Sequence, residues 1–250
     1  MTTRHDRLDD LPRPDGGRHQ GPVCPAPAGY RHRAVRNGDR YGCAGGGGAS
    51  LVDALVSIIT PTWRADPTKL RRCLNSVARQ TYANFEQIVA SDGKHELLTW
   101  GIVQRFEDRR IRYYVTETRH GGFGAGVRQE VMTECATGKY LVFLDDDNII
   151  FPTYLEKMLK ALLAQPQAKF AICEELHFGP LQEFHGDPPV VLLGVPVLYH
   201  IDTLQIMIEA AAMQEVGWVS NSYFADGETF GELARRYQYV NVRECLCAHL

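Results

Sequence analysis

Lys139-Tyr140-Leu141-Val142-Phe143-Leu144-Asp145-Asp146-Asp147-Asn148 is the stretch that decides the reading of this chain. An apolar and aromatic run, Tyr140 to Leu144, goes straight into three carboxylates. Such a run predicts a strand buried on both faces, in the middle of a parallel sheet. Three carboxylates at its carboxyl end repel one another and resist desolvation. A divalent cation makes them favourable, because hard oxygen ligands suit Mg²⁺ or Mn²⁺. In open α/β sheets the ligand crevice also lies at the carboxyl ends of the strands. Together these features point to a bound phosphate compound. An acidic turn leading to a helix near Pro152 is the plainer explanation, but a turn seldom needs three adjacent Asp residues directly after a core strand.

The rest of the composition bounds the answer. A chain of 250 residues, 44% hydrophobic and 23% charged, suits one soluble α/β domain with additions. The net charge of −3 gives no reason to expect a nucleic-acid partner. No run reaches the ~18 apolar residues of a membrane span, and the polar N-terminus lacks an apolar signal core. The expectation is a cytoplasmic protein with no integral membrane segment. Its seven cysteines are scattered, odd in number and without a CxxC pair, so neither a zinc site nor a disulfide framework is expected. Residues 1–50 are rich in Gly, Pro and Arg, end in four glycines from Gly45 to Gly48, and show no apolar periodicity. Their composition predicts a disordered tail of charge +3, leaving −6 for the remainder.

From Val56 onward strands and helices alternate. Strands are expected at Val56–Thr60, Phe85–Ala90, Ile111–Val115, Lys139–Leu144 and Phe170–Cys173. Between them, Asp66-Pro67-Thr68 opens a helix, with Asp as cap and Pro in the first turn. Leu70, Leu74 and Val77 follow at helical spacing. Further helices are expected over about 96–106, from the Gly121–Gly124 loop to about Ala136, and over 153–164. This alternation argues for an α/β fold with a mostly parallel sheet covered on both faces. The second half is less regular. Val190–Tyr199 reads as a strand or binding loop, Leu204–Met213 and Glu228–Tyr237 as helices, and Tyr239–Cys247 as a strand. No heptad pattern fixes an oligomeric state.

Four features then coincide in order: Val56-Ser57-Ile58-Ile59-Thr60-Pro61-Thr62-Trp63, Gln80-Thr81-Tyr82-Ala83-Asn84-Phe85-Glu86 ahead of Asp92-Gly93, a glycine-rich loop with Arg128 on the following helix, and the strand ending in Asp145-Asp146-Asp147. Together they resemble the family 2 glycosyltransferases of the GT-A fold, closely over about 55–160 and loosely beyond. The resemblance implies a Rossmann-like sheet flanked by helices in a single domain over 51–250. Residues 55–150 would bind the nucleotide sugar and 151–250 the acceptor. It implies an inverting transfer from a nucleotide-diphosphate sugar, usually a UDP-sugar, with Mn²⁺ or Mg²⁺. It places Thr60, Pro61 and Thr62 around the nucleotide and Asp92 on the uracil ring. An Asp-Gly turn would explain Asp92 taken alone. Asp145 or Asp146 would address the ribose or a metal-bound water, with Asp147 as the foremost metal ligand. Arg128 would face phosphates, although an exposed helix Arg fits its position as well.

Transfer to a hydroxyl also needs a base opposite the leaving diphosphate. The family carries an acidic pair near the start of a late helix. Here Tyr223-Phe224-Ala225-Asp226-Gly227-Glu228 stands there without the usual Glu-Asp dipeptide. Asp226 is favoured over Glu228 as the base, and both would also suit the first turn of a helix. Late His residues complete the metal shell in some members, which makes His249 a candidate ligand beside Asp147 and Asp145. His177, His185 and His200 have no spacing that assigns them. Trp63, Trp100 and Trp218 are expected in the core or pocket wall, with Trp218 the best sugar platform. Other readings are a sugar nucleotidyltransferase, a haloacid-dehalogenase-type phosphatase and a nucleotide-sugar-binding relic. The first would need a Gly/Lys/Arg signature at the first strand, and the second would carry its Asp-x-Asp there rather than on the fourth. The acceptor is not legible.

Overall fold

The structure is a computed structural model that describes residues 54–179 and 189–250. The expected tail and His185 lie outside the described residues. In chain order the elements are β1 (Val56–Thr62), α1 (Pro67–Ala78), β2 (Phe85–Ser91), α2 (Leu97–Gln104), β3 (Ile111–Val115), α3 (Ala125–Glu134), β4 (Tyr140–Phe143), β5 (Ile149–Ile150), α4 (Tyr154–Ala164) and β6 (Ala168–His177). β7 (Val190–Leu192), β8 (Ile206–Glu209), α5 (Ala210–Val216), α6 (Ala225–Arg236) and β9 (Gln238–His249) complete the chain. The strands form one sheet in the order β3-β2-β1-β4-β8-β6-β9-β5, with β7 on β6.

β3, β2, β1 and β4 run parallel, as do β6 and β9. β8 joins these two parallel groups by antiparallel pairing to β4 and β6. All seven residues of β1 are buried, because helices cover both of its faces. The two-residue strand period sorts its side chains between two cores. Val56 and Ile58, with Val142 of the neighbouring strand and Leu144 just past its end, pack against α1 and α4. Ile59, with Leu141 and Phe143, packs against α3, α5 and α6. A third cluster seals α1 and α2 onto β2 and β3 through Leu70, Leu74, Val89, Ile102 and Ile111. The expected Asp66 cap is present, accepting from the Thr68 and Lys69 amides at 2.8 and 3.1 Å.

The segment expected to be one helix over 204–213 is divided. A 3-10 turn at Thr203–Gln205 leads into β8, and only from Ala210 does the chain become helical. Ile206, Met207 and Ile208 are all buried, and they fill the gap between β4 and β6. A short apolar run of this kind suits a buried strand or a buried helix equally by pattern, and here the open edge of β4 decides it. Trp100 is a second correction: it stands 43% exposed beside His95, outside core and pocket. Among the described residues no helix is long and apolar enough to cross a membrane.

The Gln80-Thr81-Tyr82 motif turns out to be a clasp. Gln80 Nε2 donates to the Phe151 carbonyl at 2.8 Å, and its Oε1 accepts the Leu155 amide at 3.0 Å. The Thr81 amide donates to the Pro152 carbonyl at 2.8 Å. These bonds pin the segment that follows the three Asp residues to the chain just past α1. Gln80→Leu keeps the volume but leaves a buried carbonyl and amide unpaired. Urea unfolding is expected to show a loss of about 1–3 kcal/mol; an unchanged midpoint would refute the clasp.

Candidate active site

The carboxyl ends of β1, β2, β4, β6 and β9 open on one cleft of about 850 Å³, within the range of small-molecule sites. Its wall includes Pro61, Thr62 and Trp63 after β1, Asp92 after β2, Arg128 of α3, and Asp145, Asp146 and Asp147 after β4. From the second half come His177, Asp202, Trp218, Asp226 and His249. Most of the residues singled out by sequence therefore meet in one place. Thr60 does not: it is fully buried, and its hydroxyl accepts from Gln87 Nε2 at 3.0 Å, away from the cleft.

Asp92 fastens the glycine-rich loop. Its Oδ1 accepts the His120 amide at 2.6 Å and its Oδ2 the Gly121 amide at 2.9 Å. The loop then turns at Gly124, where φ is 86° and an added Cβ would lie 3.1 Å from both Arg128 Nη1 and Pro61 Cγ. Only glycine fits there without displacing the cleft wall. Arg128 is buried, not a solvated helix residue. It forms an ion pair with Asp145, donates through Nη1 to the Phe123 carbonyl at 2.9 Å, and lies over the Trp218 ring at 5.1 Å. Among the described residues its Nε has no acceptor. Trp218 packs edge-on against Phe143 with Arg128 over its ring, so it is a wall beneath a cation rather than an open platform. Phe123 and Tyr223, 60% and 69% exposed and edge-to-face at 5.1 Å, form the aromatic rim instead.

The three carboxylates differ. Burial raises Asp145, with Arg128 opposing. Burial pushes Asp146 up to about 6 against the pull of the Thr62 hydroxyl, and Asp145 and Asp147 add to the rise. Asp147 pairs with Lys69 at 3.3 Å while Arg72 donates to its carbonyl at 2.9 Å. Lys69 and Arg72 sit on α1, where the sequence reading had only a core-facing helix.

At the start of α6 the two acids part company. Asp226 lines the cleft, and burial, then the nearby Asp202 charge, pushes it up to about 7. Glu228 accepts from the Ser220 hydroxyl and from Ser222 Oγ at 3.3 Å, holding the loop behind.

His249 is hydrogen-bonded through Nδ1 to Asp202 at 2.9 Å and stacks on His177 at 4.3 Å. Burial lowers His249, but the Asp202 bond and charge outweigh it and raise the imidazole overall. His177 in turn meets Glu175 Oε1 through Nδ1 at 2.8 Å. Donor atoms of Glu175, His177, Asp202 and His249 all lie within 4.8 Å of one another. Among the described residues this is the group compact enough to hold a metal ion. Sequence reasoning missed Glu175 and Asp202. β6 runs four residues past its expected end, and only that extension puts Glu175 and His177 on one strand face. His200 lies on an exposed stretch and does not line the cleft.

Comparison with known proteins agrees with this architecture. Residues 57–174 match the model of glycosyl transferase family 2. The UDP-Glc:alpha-D-GlcNAc-diphosphoundecaprenol beta-1,3-glucosyltransferase WfgD of Escherichia coli is 33% identical over 111 residues, covering 44% of this chain and 42% of that one. The fold is GT-A. The S. aureus TarS 1–349 complex with UDP-GlcNAc superposes with a TM-score of 0.63 at 18% identity, over 78% of this chain and 58% of that one. Mannosyltransferase PcManGT from Pyrobaculum calidifontis, in complex with GDP-Man and Mn2+, gives 0.58 at 16% identity, over 78% and 56%. The chain spans less than half the length of the curated relatives it matches.

Arg128 and Asp145 are expected to be energetically coupled. Arg128→Met strands a carboxylate whose side chain is only 33% exposed. Its cost should fall at or below the ~3–5 kcal/mol of a broken, fully buried pair. Adding Asp145→Asn should return part of that loss in a double-mutant cycle by urea unfolding. Strictly additive effects would mean the pair is not formed.

Proposed function

We propose that this chain is a metal-dependent, inverting glycosyltransferase that moves a sugar from a nucleotide-diphosphate donor, with UDP the favoured nucleotide, to an acceptor hydroxyl. The observation that carries the reading is Asp226. It is a half-buried carboxylate held near neutrality, in the same cleft as the β4 carboxylates. A base must be ionised when the acceptor hydroxyl attacks and acidic enough to persist at physiological pH, and a pKa near working pH meets both needs. Direct displacement from the face opposite the diphosphate inverts the anomeric carbon. A relic would have no use for such a group.

Pro61, Thr62 and the Asp92-fastened loop are assigned to the nucleotide. The loop amides are already fixed by Asp92, and its carboxylate oxygens retain lone pairs for a ring N–H. Arg128 fixes Asp145, and its guanidinium faces the cleft as the buried positive charge for the diphosphate. Asp147, with Asp145 and His249, is the donor set assigned to a divalent cation at the β4 end. Such an ion would supply charge neutralisation to the leaving diphosphate. Tyr223 and Phe123 at the rim suit the face of an acceptor sugar. Residues 151–250 are assigned to the acceptor accordingly.

Calorimetry with UDP, GDP, TDP and CDP, each with Mn²⁺, Mg²⁺ or chelator, tests the donor half. UDP binding that needs metal is the expected result, and binding of none of the four would sink the proposal. Asp226→Asn should leave UDP affinity intact and reduce transfer by about 10²–10⁴-fold.

The pH profile gives an independent check. The base works ionised, so kcat/KM is expected to rise with pH, along a limb displaced from the ordinary 3.8 toward about 7. A limb that persists unchanged in the residual activity of Asp226→Asn would remove Asp226 from the role.

A further inference from the structure

We propose that the outer side of α2, built from Leu97, Leu98, Trp100 and Gly101 and flanked by Arg64, Lys94 and Arg105, docks on an anionic lipid surface. The proposal concerns where the chain works, not its reaction, and it stands or falls independently of the donor reading.

The make-up of α2 is the first observation. Leu97 to Val103 holds no charged residue, and a helix apolar on all sides is ordinarily buried on all sides. This one is covered on one side only. At about 100° per residue, Thr99, Ile102 and Val103 fall together, and all three are buried. Leu97, Leu98, Trp100 and Gly101 fall on the opposite side. Leu97 and Leu98 are 74% and 59% exposed, and Trp100 stands out beside them. A Cβ added to Gly101 would meet nothing within 4 Å, so the middle of this side is open. A single exposed leucine needs no explanation, but three large apolar side chains on one side of a two-turn helix mark a contact surface.

Charge is the second observation. Lys94 and Arg105 stand at the two ends of α2, exposed and without an ion pair among the described residues. Arg64, also exposed, is tied to the start of the helix: its amide donates to both Glu96 carboxylate oxygens at 3.0 Å. Glu96 also accepts the Thr99 hydroxyl at 3.2 Å, and Asp108 is held by Arg110 at 2.7 Å. Of the acids in residues 93–110, only Glu107 is left exposed. Apolar side chains bordered by unpaired cations match an anionic bilayer. The leucines enter the acyl boundary, Trp100 sits at headgroup level, and the Lys and Arg ends reach lipid phosphates.

Area favours a bilayer over a protein partner. Even the largest side chains bury about 150–250 Å² each, so three partly exposed ones stay below the ~800 Å² per partner of a stable protein interface. A bilayer asks for no matching shape, and its hold grows with apolar area and cationic charge together.

The surface is fixed to the cleft rim. The Glu96 amide donates to the Tyr113 hydroxyl at 2.9 Å, so Glu96 ties the start of α2 both to β3 and to the segment after β1. Trp63, next to Arg64, and Asp92, just ahead of α2, both line the cleft.

The test is flotation of the full chain with vesicles of phosphatidylcholine alone and of phosphatidylcholine mixed with phosphatidylglycerol. The wild type is expected to float with the anionic vesicles and not with the neutral ones. Leu97→Ser combined with Leu98→Ser should lower the bound fraction about tenfold or more, with melting temperature and UDP calorimetry unchanged. Tryptophan quenching by brominated lipid reads the contact in the wild type, and Trp100→Phe should remove most of it while flotation persists. A wild type that stays unbound, or binds both vesicles equally, overturns the proposal. So does a double variant that floats as well as the wild type, which would assign the attraction to the basic residues 1–50. Quenching that survives Trp100→Phe would place the contact elsewhere and overturns it too. A wild type that sediments as a dimer without lipid, with a monomeric double variant, would make this side of α2 a self-association interface instead.

Discussion

Repulsion among carboxylates is the constraint on which the rest of the cleft depends. Asp92, Asp145, Asp146, Asp147, Asp202 and Asp226 all face one space. Each is settled in a different way. Asp92 spends its charge on two loop amides, Asp145 on Arg128, Asp147 on Lys69, and Asp202 on His249. Asp146 and Asp226 have no cationic partner of that kind, and they are pushed up to about 6 and about 7. The cleft thus holds acids tied to amides or cations beside acids that lack such a partner and are raised toward neutrality.

Holding the anions in place falls to buried amide side chains rather than to the helices. Gln80 clasps the segment after β4, Gln205 clasps the loop carrying Asp202, and Asn148 clasps the C-terminal residue beside His249. Each has both ends of its carboxamide occupied or close to a partner, so each adds rigidity without an unpaired polar group of its own. Rigid backbone is what lets carboxylates crowd together, because repulsion would otherwise be relieved by movement.

Much of this was legible in the sequence where the signal was local. The apolar run into three Asp residues located β4 and its ligand end. The Asp66-Pro67 pair located α1, and the position of Asp226 before a late helix located the candidate base. What stayed hidden depends on partners distant in the chain. β8 has the composition of a helix or a strand, and only the vacant edges of β4 and β6 choose between them. β5 is two residues long and exists because β9 pairs with it. Glu175 and Asp202 belong to no local motif, and their meeting with His249 requires the long parallel pairing of β6 with β9. Thr60 was misplaced for a simpler reason: it stands two residues below the carboxyl end of β1, where only Pro61 and Thr62 reach the cleft, and a quoted motif does not say where the strand ends.

Asp202 links the two halves of the cleft. Its carboxylate raises Asp226 and Asp145 and is itself held low by His249, against the effect of its own burial. Any group that neutralises Asp202 therefore lowers the proton affinity of the candidate base without touching it. The sign follows from like charges: less negative potential at Asp226 favours its ionised form. Burial first and the Asp202 charge second raise the candidate base, so two residues of the second half of the chain are electrostatically joined beside the β4 carboxylates of the first. That arrangement also accounts for the parting of Asp226 from Glu228. Glu228 is tied to Ser220 and Ser222, whereas Asp226 lines the cleft within reach of the Asp202 charge.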